Sequence, residues 1–270
     1  MDLTGVNSRG LVLLGCGKMG SALLAGWLAR GIAATSVWVV EPNPSDWLLL
    51  QGVNLNRGLP ASPAVCVLAV KPQMMGAALP AIAAFGNGDT VFLSIAAGTM
   101  IATFETALGA QSPVVRAMPN TPAAVGRGIT ALIANRHAGA AGLTLASDLM
   151  AAVGQVVVLE DEGQMDAVTA LSGSGPAYVF HLIEAMAAAG VAEGLAPGLA
   201  MQLARATVCG AGELAHQASE PAEQLRINVT SPGGTTAAAL AVLMEAETGF
   251  PGLLKRAVAA AAARGRELGK

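Results

Sequence analysis

The chain has 270 residues, of which 53% are hydrophobic and 12% charged, with a net charge of −3 and a mean hydropathy of +0.56. Ordinary soluble domains carry about 25% charge, and a disordered chain needs low hydrophobicity with high charge, so disorder is excluded. The charge is slightly acidic with no basic stripe, which argues against a nucleic-acid partner.

In chain order, Gly10–Leu14 predicts a strand and Met19–Arg30 a helix. Ser36–Val40 predicts a second strand and Ala64–Val70 a third, followed by a helix over Met74–Ala84. Thr90–Ile95 is the fourth strand, then a helix over Met100–Leu108 and a strand at Pro113–Met118. Gly128–Ala134, a helix near Gly139–Val153 and a strand at Gln155–Leu159 extend the pattern. Continuous apolar strands separated by helices predict an α/β fold with a parallel, doubly wound sheet. From Asp161 onward the patterns are helical, with breaks expected at Ser172–Pro176, Gly194–Pro197, Ser219–Pro221, Thr230–Gly234 and Gly249–Gly252. The expected organisation is a dinucleotide-binding domain over residues 1–160 and an all-helical domain over 161–270, joined near the acids of Glu160–Gly163.

A membrane-spanning helix needs about 20 consecutive apolar residues. The longest uncharged stretches, Ile227–Met244, Pro72–Gly88 and Ala167–Ile183, are interrupted by Pro, Gly, Ser, Thr or Asn. The run Leu11–Leu14 is too short for a signal peptide. The expectation is a soluble, cytoplasmic protein with no membrane partner. Cys16, Cys66 and Cys209 are odd in number and far apart, which fits reduced thiols and neither a disulfide framework nor a metal site.

Two constellations carry chemistry. In the first, the opening strand runs into Gly15-Cys16-Gly17-Lys18-Met19-Gly20, a G-x-G-x-x-G turn at the start of a helix. Gly15 permits the turn, Gly17 lets the backbone approach a pyrophosphate, and Gly20 lets helix and strand pack closely. The phosphates then meet the free N–H groups of a helix N-terminus. Glu41 ends the second strand, where an acid hydrogen-bonds the adenosine ribose 2′-OH and favours NADH. Ala69-Val70-Lys71-Pro72 ends the third strand and faces the same crevice. In the second constellation, Ser231-Pro232-Gly233-Gly234-Thr235-Thr236 precedes a helix. Ser231 or Thr235 is positioned to cap that helix, and the turn forms a nest for a carboxylate. His181 and His216 each stand alone in apolar helical patterns and read as structural.

The motifs G-C-G-K-M-G, A-V-K-P, R-A-M-P-N-T-P (Arg116–Pro122), S-G-S-G-P-A-Y (Ser172–Tyr178) and V-T-S-P-G-G-T-T (Val229–Thr236) occur in this order. Their order and spacing resemble the pyrroline-5-carboxylate reductase family, over about Gly10 to Glu267. The resemblance implies a Rossmann-type N-terminal domain and a C-terminal helical dimerisation domain. It also implies NADPH- or NADH-dependent reduction of 1-pyrroline-5-carboxylate to L-proline, by an obligate homodimer that associates further into a decamer. It assigns the substrate carboxylate to Ser231, Gly233, Gly234 and Thr235, and the ring nitrogen to the catalytic Thr236. Asn56 falls near the adenosine ribose and Ala97 beside the nicotinamide. Asn56 with Arg57 would welcome a 2′-phosphate, against the Glu41 argument, so the choice of cofactor stays open.

Three positions depart from the family pattern: Ile227 in place of an acid, the extra Met244, and an offset Glu220. The rival classes are a β-hydroxyacid dehydrogenase, a related imine reductase, and a non-catalytic dinucleotide sensor. The dehydrogenase needs an acidic lysine after the first domain, but no lysine lies between Asp161 and Leu254.

Overall fold

The computed structural model describes residues 4–269; Met1–Leu3 and Lys270, the outermost ends of the two expected domains, lie outside the described residues. Eight strands form one sheet: β1 (Leu11–Leu14), β2 (Val37–Val40), β3 (Asn54–Leu55), β4 (Val65–Leu68), β5 (Val91–Ser94), β6 (Val114–Met118), β7 (Gly128–Ala134) and β8 (Gly154–Val158). Their order is β3-β2-β1-β4-β5-β6-β7-β8, the doubly wound Rossmann-type order with two strands added at one edge.

Residues of one strand point alternately to the two faces, and both faces are buried. Leu11, Leu13, Val65, Val67 and Leu93 pack under the helices Lys18–Ala29 and Gly139–Ala151. The Trp27 indole N–H donates to Leu149 O at 2.9 Å, tying those two helices together. Val12, Leu14, Cys66, Leu68 and Phe92 pack on the other face with Ile82, Ile101 and Phe104. This double burial is why the strands read as unbroken apolar runs.

Four sequence expectations need correction. The sheet is not wholly parallel, because β7 runs antiparallel to β6. Residues 119–127 hold a single 3-10 turn, Thr121–Val125, whereas a parallel crossover needs about a dozen residues or more. The helix expected over Met74–Ala84 is α-helical only at Met75–Ala78, then 3-10 over Leu79–Phe85, where Pro80 removes an N–H donor. The break expected at Ser172–Pro176 is a π-helical turn, Thr169–Gly173, leading into the helix Gly175–Ala192. Pro176 sits in that helix's first turn, where a missing N–H costs nothing. The last break ends at Gly249: the helix Phe250–Leu268 already contains Gly252.

The chain divides into two compact units. One runs through Gly173 and takes in the chain's end from Ala262; the other is Ser174–Ala261. The second unit is helical, with Gly175–Ala192 packed on Pro197–Gln217. It leaves large apolar side chains in the open, among them Phe180, Leu199, Leu214 and Val242. Among the described residues, one helical stretch, Glu162–Ala192, is long and apolar enough to cross a membrane by length and composition. It carries the acids Glu162, Asp166 and Glu184. Cys16 and Cys66 are buried free thiols and Cys209 is an exposed one.

One charge joins three parts of the first unit. Arg116, in β6, is 4% exposed and pairs with Glu162, whose Oε1 lies 2.8 Å from Nη1. The same oxygen accepts the Ile101 N–H at 2.9 Å, at the start of the helix Ile101–Leu108, whose N-cap has no side-chain bond of its own. Removing Glu162 leaves a buried guanidinium unpaired. Glu162→Ala is therefore expected to lower stability by about 3 kcal/mol, the low end for a broken buried pair because Glu162 is partly exposed. Equilibrium urea unfolding measures this, and a loss below about 1 kcal/mol would show the pair to be dispensable.

Candidate functional site

β1 and β4 are neighbours, yet their following connections leave in opposite directions, opening a crevice at their carboxyl ends. The Gly-rich turn lies there. Gly15 has φ +85, and a Cβ on it would stand 2.8 Å from Ala69 O, so only glycine lets the turn pass the end of β4. A Cβ on Gly20 would stand 2.6 Å from Gly15 O, which holds helix and turn together. A Cβ on Gly17 would meet nothing within 4 Å, so its outer side is open to an approaching group.

The helix Lys18–Ala29 has no side-chain cap. Its first intrahelical bond is from Ser21 N to Gly17 O at 2.8 Å, so the Lys18, Met19 and Gly20 N–H groups precede the ladder and face outward. An uncapped helix start beside an open glycine suits a pyrophosphate. The Ser21 hydroxyl, which the sequence reading passed over, donates to Cys16 O at 2.9 Å and braces the turn. Burial and the neighbouring Glu41 charge push the Cys16 thiol up, only partly offset by its bond to Ser21, so it stays protonated.

Glu41 is half-buried just past β2. Its carboxylate accepts the Cys16 N–H at 2.8 Å and the Asn43 N–H at 2.9 Å. Asn56, with φ +51, bonds both the N–H and the carbonyl of Glu41. The structure thus brings Glu41, Asn56 and the Gly-rich turn together. Ala69 and Val70 are half-buried past β4, while Lys71 and Pro72 are exposed. Ala97 is half-buried in the loop after β5. Its neighbour Gly98 has φ +76, and a Cβ there would lie 3.3 Å from Leu268 O.

Two motifs with no evident chemistry in the sequence turn out to be bonded to each other. Asn120 Oδ1 accepts the Ile129 N–H at 2.9 Å, and its Nδ2 donates to Ser172 at 3.4 Å. A Cβ on Gly173 would stand 2.5 Å from Met118 Cε. The π turn therefore seats on the strand that carries R-A-M-P-N-T-P. Glu162 was also passed over as one of three acids at a boundary. The signal that finds it is Arg116, a charge in a buried strand that requires a partner.

The second constellation stands in the helical unit. The helix Ala222–Asn228 ends in a turn closed by the bonds Thr230 N to Ile227 O and Gly234 N to Ser231 O, both 3.0 Å. Gly233 has φ +69. The capping expectation fails: Gly234 is the N-cap of the helix Thr235–Leu243, and no side chain caps it. Ser231 and Thr235 are exposed and Thr236 half-buried. The helix's first N–H groups are left with the hydroxyls of Ser231, Thr235 and Thr236 around them, a better anion site than a capped end would be. His181 is not alone: Nδ1 lies 3.1 Å from Glu184 Oε2 on an exposed surface.

Comparison with known proteins bears on both constellations. Residues 162–268 match the family model for pyrroline-5-carboxylate reductase dimerisation, and residues 11–98 match the model for NADP oxidoreductases, coenzyme F420-dependent. The pyrroline-5-carboxylate reductase of Pseudomonas aeruginosa is 41% identical over 265 residues, covering 96% of each chain. That of Synechocystis is 40% identical over 96% of this chain and 98% of its own. Among solved structures, a pyrroline-5-carboxylate reductase from Coxiella burnetii superimposes with a TM-score of 0.88 at 34% identity, covering 97% and 99% of the two chains. The NADP-bound pyrroline carboxylate reductase of Plasmodium falciparum does so with a TM-score of 0.84 at 30% identity, covering 98% and 99%. With identity at this level over nearly the full length of both partners, and a dimerisation domain in the same place, the chain belongs to the pyrroline-5-carboxylate reductase family.

Proposed function

We propose that the chain reduces the C=N bond of 1-pyrroline-5-carboxylate to give L-proline, using NADPH or NADH. The observation that carries this reading is the uncapped helix start at Thr235, with Ser231, Thr235 and Thr236 at or next to it in sequence, in a chain whose sheet unit carries a second uncapped helix start at the Gly-rich turn. Residues 1–160 serve as the dinucleotide-binding domain and 161–270 as the dimerisation and substrate-binding domain. A dinucleotide held there would supply the hydride that the imine carbon takes up.

This chain's residues bind and orient. The N–H groups of Lys18, Met19 and Gly20, with Gly15, Cys16 and Gly17, hold the pyrophosphate. Glu41 and Asn56 serve the adenosine ribose, and Ala69, Val70, Lys71, Pro72 and Ala97 line the path toward the nicotinamide. Ser231, Gly233, Gly234 and Thr235 take the substrate carboxylate. Thr236 accepts or donates a hydrogen bond at the ring nitrogen as the imine becomes an amine. A protonated imine is already electrophilic, and solvent supplies that proton, so positioning does most of the work. A hydroxyl then suffices where ketone reduction would need an acid such as lysine, and the helical unit has no lysine before Lys255. The same argument disfavours a β-hydroxyacid dehydrogenase, and a dinucleotide sensor has no use for a carboxylate nest.

The protein works in the cytoplasm, with neither membrane nor nucleic acid as partner. Its exposed apolar helices are covered by a second copy, in an assembly of a dimer or more. The match to a dimerisation domain over residues 162–268 supports the pairing, as do the exposed Phe180, Leu199, Leu214 and Val242.

Three measurements test this reading. Thr236→Ala is expected to lower kcat about 10- to 1000-fold with pyrroline-5-carboxylate; an unchanged kcat removes Thr236 from the chemistry. Gly17→Ala is expected to melt at the wild-type temperature, since no atom lies within 4 Å of the added Cβ, yet to bind NAD(P)H about tenfold or more weakly, each factor of ten being about 1.4 kcal/mol. Full affinity in that variant would place the pyrophosphate elsewhere. Sedimentation at micromolar concentration is expected to find a dimer or larger species, and a stable, active monomer would refute the assembly.

A further inference from the structure

The Glu41 network ties the end of β2 to the Gly-rich turn. The Glu41 carboxylate is fastened at both oxygens, Oε2 by the Cys16 N–H at 2.8 Å and Oε1 by the Asn43 N–H at 2.9 Å. The first donor belongs to the Gly-rich turn, so the carboxylate is tied directly to the pyrophosphate loop. Asn56 grips the same residue by its backbone: the Glu41 N–H donates to Oδ1, and Nδ2 donates to the Glu41 carbonyl, each at 2.9 Å. Asn56 is itself held by its own N–H, which bonds Val39 O at 2.8 Å, and by its left-handed backbone. A carboxylate held this way cannot swing aside when an anion arrives.

The arrangement bears on the conflict in the sequence. Each polar atom of the Asn56 amide makes one bond to the Glu41 backbone, which fixes the amide beside Glu41 and leaves one N–H over. Among the described residues, no lysine or arginine forms an ion pair with Glu41, so its charge is not neutralised there. Lys18 in the Gly-rich turn and Arg57, the first cation after Glu41 in sequence, are exposed, where their attraction for a phosphate is screened. A carboxylate has about four acceptor positions; two are filled, which leaves two for hydroxyl donors and none of use to a phosphate.

We propose that Glu41 makes this chain select NADH over NADPH: its free lone pairs accept the adenosine ribose hydroxyls, its charge repels a 2′-phosphate, and Asn56 is a positioning residue for it. The proposal rests on the dinucleotide reading above. It sets the chain apart from the Plasmodium falciparum relative, whose structure holds NADP.

The test is equilibrium titration of the intact protein with NADH and NADPH separately, without substrate, followed by calorimetry or by cofactor fluorescence. NADH is expected to bind at least tenfold more tightly. Glu41→Gln removes the charge while keeping the shape, and Glu41→Ser removes the carboxylate; each is expected to close or reverse that ratio, chiefly through tighter NADPH binding. A thermal melt of each variant confirms that it is folded. Asn56→Ala is expected to narrow the ratio, an effect that a purely structural loss, which weakens both cofactors alike, would not produce. Arg57→Ala is expected to leave the ratio unchanged.

Equal or tighter binding of NADPH by the wild-type protein overturns the proposal, as does a ratio indifferent to both Glu41 variants. A selective loss of NADPH binding in Arg57→Ala, with NADPH the tighter ligand beforehand, assigns the site to phosphate recognition and overturns it too. If neither cofactor binds, the dinucleotide reading falls, and this inference with it; binding of both at a ratio near one leaves that reading standing and removes the inference alone.

Discussion

The first unit is organised around the place where Gly15 passes Ala69. The two strands that precede these residues are adjacent and parallel, yet the chain leaves them for opposite sides of the sheet. The turn after β1 must therefore slip past the end of β4 with no room for a side chain, and the backbone there takes a conformation that residues with a Cβ avoid. Everything proposed for the cofactor depends on that passage. It aims the helix start at the crevice, sets Gly20 against the turn, and brings the Cys16 N–H to the Glu41 carboxylate. The uncapped helix start and the Glu41 carboxylate are thus joined through one piece of backbone, held from two sides.

With charge so scarce, each partly buried charge acts as a joint. Glu41 fastens the end of β2 to the turn after β1. Glu162 fastens Arg116 in β6 to the helix that follows the Ala97 loop. The amide of Asn135 does related work without charge, donating to Glu105 and to Ser112 O while accepting from Val114. All three join the ends of elements on one sheet. A core of Leu, Val and Ala packs without direction, so directional bonds at the edges fix which loop lies beside which.

The strands and the Gly-rich turn were legible because their requirements are local: an apolar run buried on two faces, and a glycine pattern with a strand before it and a helix after it. What escaped depends on contacts distant in sequence. β3, only Asn54–Leu55, is too short to leave a pattern. The direction of β7 follows from the brevity of residues 119–127, which composition does not reveal. Ser172–Pro176 looks like a break, yet Gly173 fits against Met118 and the helix continues through a widened turn. Ser231 and Thr235 look like caps because serine and threonine usually are, but the glycine between them takes the cap position and leaves the donors open. Asn56 illustrates the limit well: no sequence pattern shows that its amide is engaged by the backbone of Glu41.

The same contrast explains the hydropathy of the chain. In the sheet unit, the apolar residues of the strands disappear between sheet and helices. In the helical unit, Phe180, Leu199, Leu214 and Val242 remain open although nothing in their sequence pattern marks them as surface. A membrane could cover such residues, but Glu162–Ala192 carries acids and a π turn widened by serine and glycine, and in lipid every backbone group must find a partner inside the segment. A second copy of the same helical unit would cover them at no such cost. Obligate interfaces are composed like a domain core cut in half, so residues that look like core from sequence and like surface in a single chain are what a dimerisation domain should contain.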